Sequence, residues 1–157
     1  MIFQFENLSS CWGEVWGLAM KCMTEKGLIY HPDYQRYKEY EQCDNLYIVT
    51  VRTREREMVG FAMMYVFRSM HTQMLGAQED LFYLLPDYRK GWTALRLLRE
   101  VEDEARRRGC SEVSMVTEIG SVAGAILDAK GYAITSRNHR KILRADSPVS
   151  TIGKAVA

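Results

Sequence analysis

The stretch from Leu81 to Leu98 holds residues that could bind an anion. Leu81-Phe82-Tyr83-Leu84-Leu85 is an apolar run that stops at Pro86, a residue unable to donate to a sheet ladder. Asp87-Tyr88-Arg89-Lys90-Gly91-Trp92 follows as a short basic turn with one glycine, and Thr93-Ala94 opens a long helical pattern. A strand that passes through such a turn straight into a helix aims free backbone N–H groups and the positive end of a helix dipole at one spot. That geometry binds a phosphate group. Arg89 and Lys90 add positive charge there, although an ordinary strand-to-helix connection with surface cations would carry the same residues.

The elements that position this turn are legible as periodicities. After Ser9 and Ser10, which can cap a helix, Trp12, Val15, Trp16, Ala19, Met20 and Met23 form a one-sided stripe ending near Gly27. A second, short helix is expected to open at Pro32 and to carry Tyr34, Tyr37, Lys38 and Glu41 as far as Asn45. Its tyrosines serve either as a lid on the core or as the wall of a substrate cleft. The segments 46–53 and 58–67 are β-branched and aromatic around the polar run Arg54 to Glu57, which reads as an antiparallel hairpin. Gly60, inside its second strand, signals a bulge or a close backbone approach. The polar stretch 68–78 is expected to be a loop before the strand Leu81–Leu85. Ala94, Leu97, Leu98, Val101 and Ala105 then predict a helix over 91–108, with Gly109 as its C-cap and Arg106 to Arg108 favoured in its last turn by the dipole. A strand over 112–117, a helix over 121–130 closed by Gly131, and strands over 132–135 and 139–144 complete the pattern. A short N-terminal strand can precede them. Strand–helix–strand units beside a hairpin predict an α/β (α+β) domain over 1–145, a mixed sheet with helices on both faces, and a loose tail over 146–157.

Composition narrows the function classes. With 157 residues and 47% hydrophobic content the chain suffices for one domain of ordinary size, and a net charge of +1 gives no global reason for a nucleic-acid partner. The N-terminus has no basic segment, and Glu6, Glu14 and Lys21 interrupt its apolar residues, so neither a signal peptide nor a membrane span is expected. Cys11, Cys22, Cys43 and Cys110 show no CxxC pair and no histidine at metal-ligand spacing. They read as small core hydrophobes of a reduced, cytoplasmic protein with no metal site.

The passage Leu81 to Leu98 resembles the acetyl-CoA signature of the GNAT acetyltransferases, in which a strand ending in a proline-aromatic-arginine segment leads to Q/R-x-x-G-x-G/A at the start of a helix. Arg89 matches the first position, Ala94 the last, and Leu97-Leu98 the leucine pair one turn on. Trp92 stands where the middle glycine belongs, with Gly91 one place earlier. Met58-Val59-Gly60-Phe61-Ala62 is similar to the family's third strand, and Val122 to Tyr132 to its last helix and glycine-aromatic exit. The narrower likeness, which includes His71 before the fourth strand, is to the short acetyltransferases of bacteriophages.

The resemblance implies transfer of an acetyl group from acetyl-CoA to a primary amine by direct attack in a ternary complex. Such a reaction needs a deprotonated amine, a donor for the developing oxyanion and an acid for the thiolate. It also implies a fourth strand splayed from the fifth, with Tyr83, Leu84 and Leu85 pairing with the pantetheine arm, the amides of Lys90, Gly91, Trp92, Thr93 and Ala94 on the pyrophosphate, and Thr117 and Leu127 beside the cofactor. Glu79 and Asp80 stand where the family often places its base, and Glu118 is a further candidate. His71 suits base chemistry through its ordinary pKa of about 6.5. For the acid, the family's usual tyrosine position is Leu127 here. Tyr83 could serve instead, the proton could come from solvent, the thiolate could leave unassisted, or catalysis could be lost and a CoA-binding or protein-interaction module remain. The acceptor, a small molecule or a protein amine, stays open. Exposed aromatics in the first third or the C-terminal strands could support a homodimer.

Overall fold

The computed structural model describes residues 1–136. In chain order the elements are β1 (Ile2–Phe5), α1 (Leu8–Glu25), α2 (Tyr34–Gln42), β2 (Leu46–Arg52), β3 (Met58–Arg68), β4 (Leu75–Leu84), a 3-10 turn at Pro86–Tyr88, α3 (Thr93–Arg107), β5 (Glu112–Ser114) and α4 (Val122–Ala129). They fall into two compact units, Met1–Ser114 and the described residues from Met115 on.

The first unit is a five-stranded sheet in the order β1-β2-β3-β4-β5, antiparallel except for the parallel pair β4–β5. One face packs on α1, whose Leu8, Cys11, Val15, Leu18, Ala19 and Cys22 meet Leu46, Ile48, Phe61, Met63, Leu81 and Tyr83. The other face is covered by α3 through Leu97, Leu98, Val101 and Ala105, and the Tyr47 hydroxyl donates to the Val101 carbonyl at 3.1 Å. Every residue of β2 is therefore buried, which explains why its sequence is a continuous apolar run rather than an alternation. Arg52 ends β2 with ion pairs to Glu6 at 2.6 Å and Glu14 at 2.7 Å, tying the start of α1 to the sheet.

Several boundaries differ from those the sequence predicts. Asn7, not Ser9 or Ser10, takes the cap position of α1, and Ser10 donates back to its carbonyl. Asp33 rather than Pro32 starts α2, accepting from the Arg36 amide at 3.1 Å. The expected loop over 68–78 shrinks to 69–74, since β3 runs to Arg68 and supplies partners for β4 from Leu75 on. Tertiary pairing overrides the weak strand preference of Gly76-Ala77-Gln78. The strand expected over 112–117 ends at Ser114, and 132–135 is irregular. The strand expected over 139–144 and the tail over 146–157 lie outside the described residues. Cys11 and Cys22 are core residues, but Cys43 is exposed and Cys110 only half-buried. No helix among the described residues is long and apolar enough to cross a membrane.

Two β-bulges shape the sheet near β4. One lies at Val51/Arg52, where Val59 is the extra residue. The other lies at Met63/Met64, where Leu81 and Glu79 are consecutive partners and Asp80 is extra. Gly60 combines the two readings its sequence position allows: it adjoins the first bulge, and a Cβ there would stand 2.7 Å from the Tyr83 carbonyl oxygen. The second unit contains α4, capped by Ser121, which accepts from the Gly124 amide at 3.1 Å, and closed at Gly131 (φ +87°) with the Tyr132 amide donating to the Leu127 carbonyl. Gly60→Ala is expected to destabilise the fold by about 2 kcal/mol, because the Tyr83 backbone as well as the Leu84 side chain must move. Chemical denaturation measures this, and an unchanged midpoint would show that β3 and β4 are not in such close contact.

Candidate active site

Pairing between β4 and β5 covers only Gly76–Gln78 with Glu112–Ser114. Beside Phe82 and Leu84, no described strand pairs with that side of β4. The Leu85 amide donates to the Val59 carbonyl at 2.9 Å and so belongs to the β3 side. Alternation then turns the peptide groups of Leu84 and Phe82 toward the open side. The resemblance pointed to Tyr83, Leu84 and Leu85; the register selects Leu84 among them and adds Phe82.

The open edge leads through the 3-10 turn to the start of α3. Gly91 has φ +73°, a conformation that favours glycine, and lets the chain turn into the helix. The first helical bond is Arg96 amide to Trp92 carbonyl at 2.9 Å, so the amides of Thr93, Ala94 and Leu95 have no intrahelical partner. Trp92 at the cap offers no side-chain acceptor, and the first turn of α3 contains no acidic residue. Lys90 and Trp92 are exposed, Trp92 at 79%. This donor set fits a phosphate: free amides, a dipole of the right sign, a nearby ammonium and no competing carboxylate in the turn.

Arg89 is engaged elsewhere. Its Nε donates to the Leu84 carbonyl at 2.8 Å, its Nη2 to Glu25 Oε2 at 2.6 Å, and its guanidinium lies 5.1 Å from the centroid of the Tyr83 ring. The Tyr83 hydroxyl donates to the other Glu25 oxygen at 2.5 Å. Burial and this bond to a carboxylate push the Tyr83 pKa up to about 12, while the hydrogen bonds from Tyr83 and Arg89 hold Glu25 below the usual carboxylate range. Glu25, at the end of α1, is a site residue that sequence reasoning missed.

The bulge at Asp80 re-aims that carboxylate toward α2. Tyr37 donates to Asp80 Oδ2 at 2.8 Å, and Tyr65 also bonds it. Burial raises the Asp80 pKa above the ordinary aspartate value despite both hydroxyls, and among the described residues no cation contributes to its environment. Burial and the Asp80 charge raise Tyr37 in turn, so its hydroxyl stays protonated and donates. Trp12 packs 5.1 Å from Tyr34 and 5.7 Å from Tyr37, and Tyr37 stacks on Tyr65 at 6.3 Å. Tyr34 and Tyr37 of α2 thus lie on the core, as one reading of the sequence holds, and Tyr37 also reaches a candidate site residue. Glu79 is the neighbouring half-buried residue of the bulge.

His71 is exposed at the tip of the β3–β4 hairpin, at the opposite end of β4 from Leu84, with its amide donating to Ser69. Thr117, Glu118 and Leu127 belong to the second unit. There Thr117 and Glu118 are exposed on the segment before α4, and Leu127 is half-buried on it.

A sequence model of the Acetyltransferase (GNAT) family matches residues 12–126, well over half of the chain. The chain belongs to the GNAT acetyltransferase family. Acetyl-CoA is the acyl donor of this family, and the mixed sheet with helices on both faces is its fold. Among solved structures the chain is similar to a probable acetyltransferase (TM-score 0.74, 16% identity, covering 94% of this chain and 99% of that one). It is similar also to a ribosomal-protein-alanine N-acetyltransferase from Brucella melitensis biovar Abortus 2308 (TM-score 0.66, 19% identity, 90% and 99% covered). A third is an aminoglycoside N-acetyltransferase in complex with CoA (TM-score 0.70, 17% identity, 91% and 99% covered). At these identities the likeness is one of fold. No curated protein matches the chain significantly.

Asp80 carries a pH signature. A carboxyl whose folded pKa is raised contributes stability that is fully present below its unfolded pKa of about 4 and is lost as pH rises through the folded value. Asp80→Asn keeps an acceptor for Tyr37 and never ionises. Its melting temperature relative to the parent is therefore expected to rise between pH 4 and pH 7, and a difference independent of pH would contradict the buried, cation-free carboxylate.

Proposed function

We propose that this chain moves an acetyl group from acetyl-CoA to a primary amine by direct attack within a ternary complex. The observation that carries the proposal is the continuity of the open β4 edge with the uncapped start of α3. The Phe82 peptide groups and the Leu84 amide, with the Leu84 carbonyl already taken by Arg89, run into a cluster of free amides, which suits a ligand with an amide-bearing arm and a phosphate head.

In this reading Phe82 and Leu84 pair with the pantetheine arm, and the amides of Lys90 to Ala94 with the Lys90 ammonium hold the pyrophosphate. When bound, acetyl-CoA supplies the thioester carbonyl carbon. Asp80 accepts the proton that the acceptor ammonium must lose before its nitrogen can attack. Its raised pKa brings it closer to the proton affinity such a base needs, and its two tyrosine donors fix its orientation. As the new C–N bond forms and the C–S bond breaks, the thiolate takes its proton from solvent. Tyr83 is a poor acid here, because its hydroxyl is buried and committed to Glu25.

The alternative is a CoA-binding module without turnover. Leu127 in place of the family's helix tyrosine and the engaged Tyr83 hydroxyl favour it.

Calorimetric titration with acetyl-CoA and desulfo-CoA, followed by thiol-release assays over polyamines, aminoglycosides and protein amines, separates the readings. Micromolar binding with acceptor-dependent thiol release is expected. Lys90→Ala is expected to weaken binding about fivefold to tenfold at low salt, with the difference shrinking as salt rises. Asp80→Asn is expected to bind CoA normally and to lose about a hundredfold or more in turnover. Binding without release for any amine would favour the module, and a Lys90→Ala protein with unchanged affinity would remove the phosphate loop.

A further inference from the structure

We propose that Glu25 and Arg89 are a positioning pair for the cofactor site, and that Arg89 acts as a strut between α1, β4 and the loop before α3 instead of as a phosphate ligand. The inference rests on the CoA reading above and concerns how its phosphate loop is held.

Three features of Arg89 are already committed. Its Nε holds the Leu84 carbonyl at 2.8 Å, its Nη2 holds Glu25 at 2.6 Å, and its planar face lies against Tyr83. The Leu84 carbonyl is on the open side of β4, so Arg89 also fixes where the unpaired strip ends. Glu25 completes the frame. One carboxylate oxygen takes Arg89 and the other takes the buried Tyr83 hydroxyl, so the last turn of α1 is locked to the last residues of β4 and to the residue that opens the loop. The first half of the loop is held by the Tyr88 amide on the Leu85 carbonyl at 2.9 Å and the Arg89 amide on the Pro86 carbonyl at 3.2 Å, while its second half is more open. Gly91 adopts a positive φ, Trp92 gives no cap, and Lys90 and Trp92 are exposed. A planar guanidinium can serve these three directions together, and an ammonium cannot.

The competing role for Arg89 is that of a reserve cation, parked on Glu25 until a phosphate arrives. The two roles predict opposite signs. Removing the Glu25 charge frees Arg89 and deletes a negative charge beside an anion site, so Coulomb attraction alone gives tighter CoA binding. A positioning role gives weaker binding, because the loop loses its frame and ordering it on binding then costs more.

The test compares the full chain with Glu25→Gln, Arg89→Gln and the double variant. CoA affinity is read by calorimetry, and amide hydrogen exchange of residues 86–96 is read without ligand. Each single variant is expected to weaken CoA binding about tenfold, with the double variant no worse than either single, as befits residues acting as one unit. Exchange over 86–96 is expected to rise in all three while that of β2 stays unchanged. Arg89→Lys, which keeps the net charge, is expected to repeat the loss. Tighter or unchanged CoA binding by Glu25→Gln, or unchanged exchange over 86–96, would overturn the strut. A parent protein that binds no CoA contradicts the cofactor reading instead, and the exchange of residues 86–96 then decides the strut alone.

Discussion

Strand β4 has a partner along its whole length on one side and for only three residue pairs on the other. An unpaired strand edge in the middle of a sheet is a liability, since its amides and carbonyls seek partners and invite association. Much of the first unit can be understood as building this gap and keeping it specific. The bulge at Asp80 interrupts the β3–β4 register close to where the β5 pairing stops, and Pro86 ends the strand so that the chain turns into α3. Gly60 lets β3 approach the Tyr83 carbonyl closely on the closed side.

The charges around this edge are arranged so that few of them compete with the ligand. The first turn of α3 has no carboxylate, and Glu25, the acid tied to the loop, is neutralised by Arg89 and by the Tyr83 hydroxyl. Asp80 is the opposite case. It is a half-buried carboxylate that, among the described residues, meets hydroxyls and no cation, and its burial costs stability that a proton would restore. Natural proteins retain such costs at working sites, which makes the same residue the candidate base.

The parts of this arrangement that rest on local periodicity were legible in the sequence. The apolar spacing of Ala94 to Ala105 gives α3, the polar break at Arg54 to Glu57 gives the β2–β3 hairpin, and Gly60 and Gly91 mark their special positions by residue type alone. Helix α4 and its closure at Gly131 read equally well. What was not legible depends on register or on distant pairs. The start of β4 at Leu75 hides in a glycine-alanine-glutamine stretch that only β3 makes into a strand. The re-aiming of Asp80 follows from a bulge with no residue signature, and Glu25, Tyr83 and Arg89 lie too far apart in sequence for any spacing rule to join them. Arg89 shows the difference most clearly: a motif position assigns it to the phosphate, while its three contacts assign it to the fold.

The central claim is that one continuous strip, from the open edge of β4 to the start of α3, receives the donor. Amide hydrogen exchange of the full chain with and without acetyl-CoA tests it directly. The account predicts protection of the amides of Phe82 and Leu84 and of residues 90–95 on adding acetyl-CoA, with the β2 amides unchanged. Saturating acetyl-CoA that protects neither segment, or protects only residues remote from both, would contradict it.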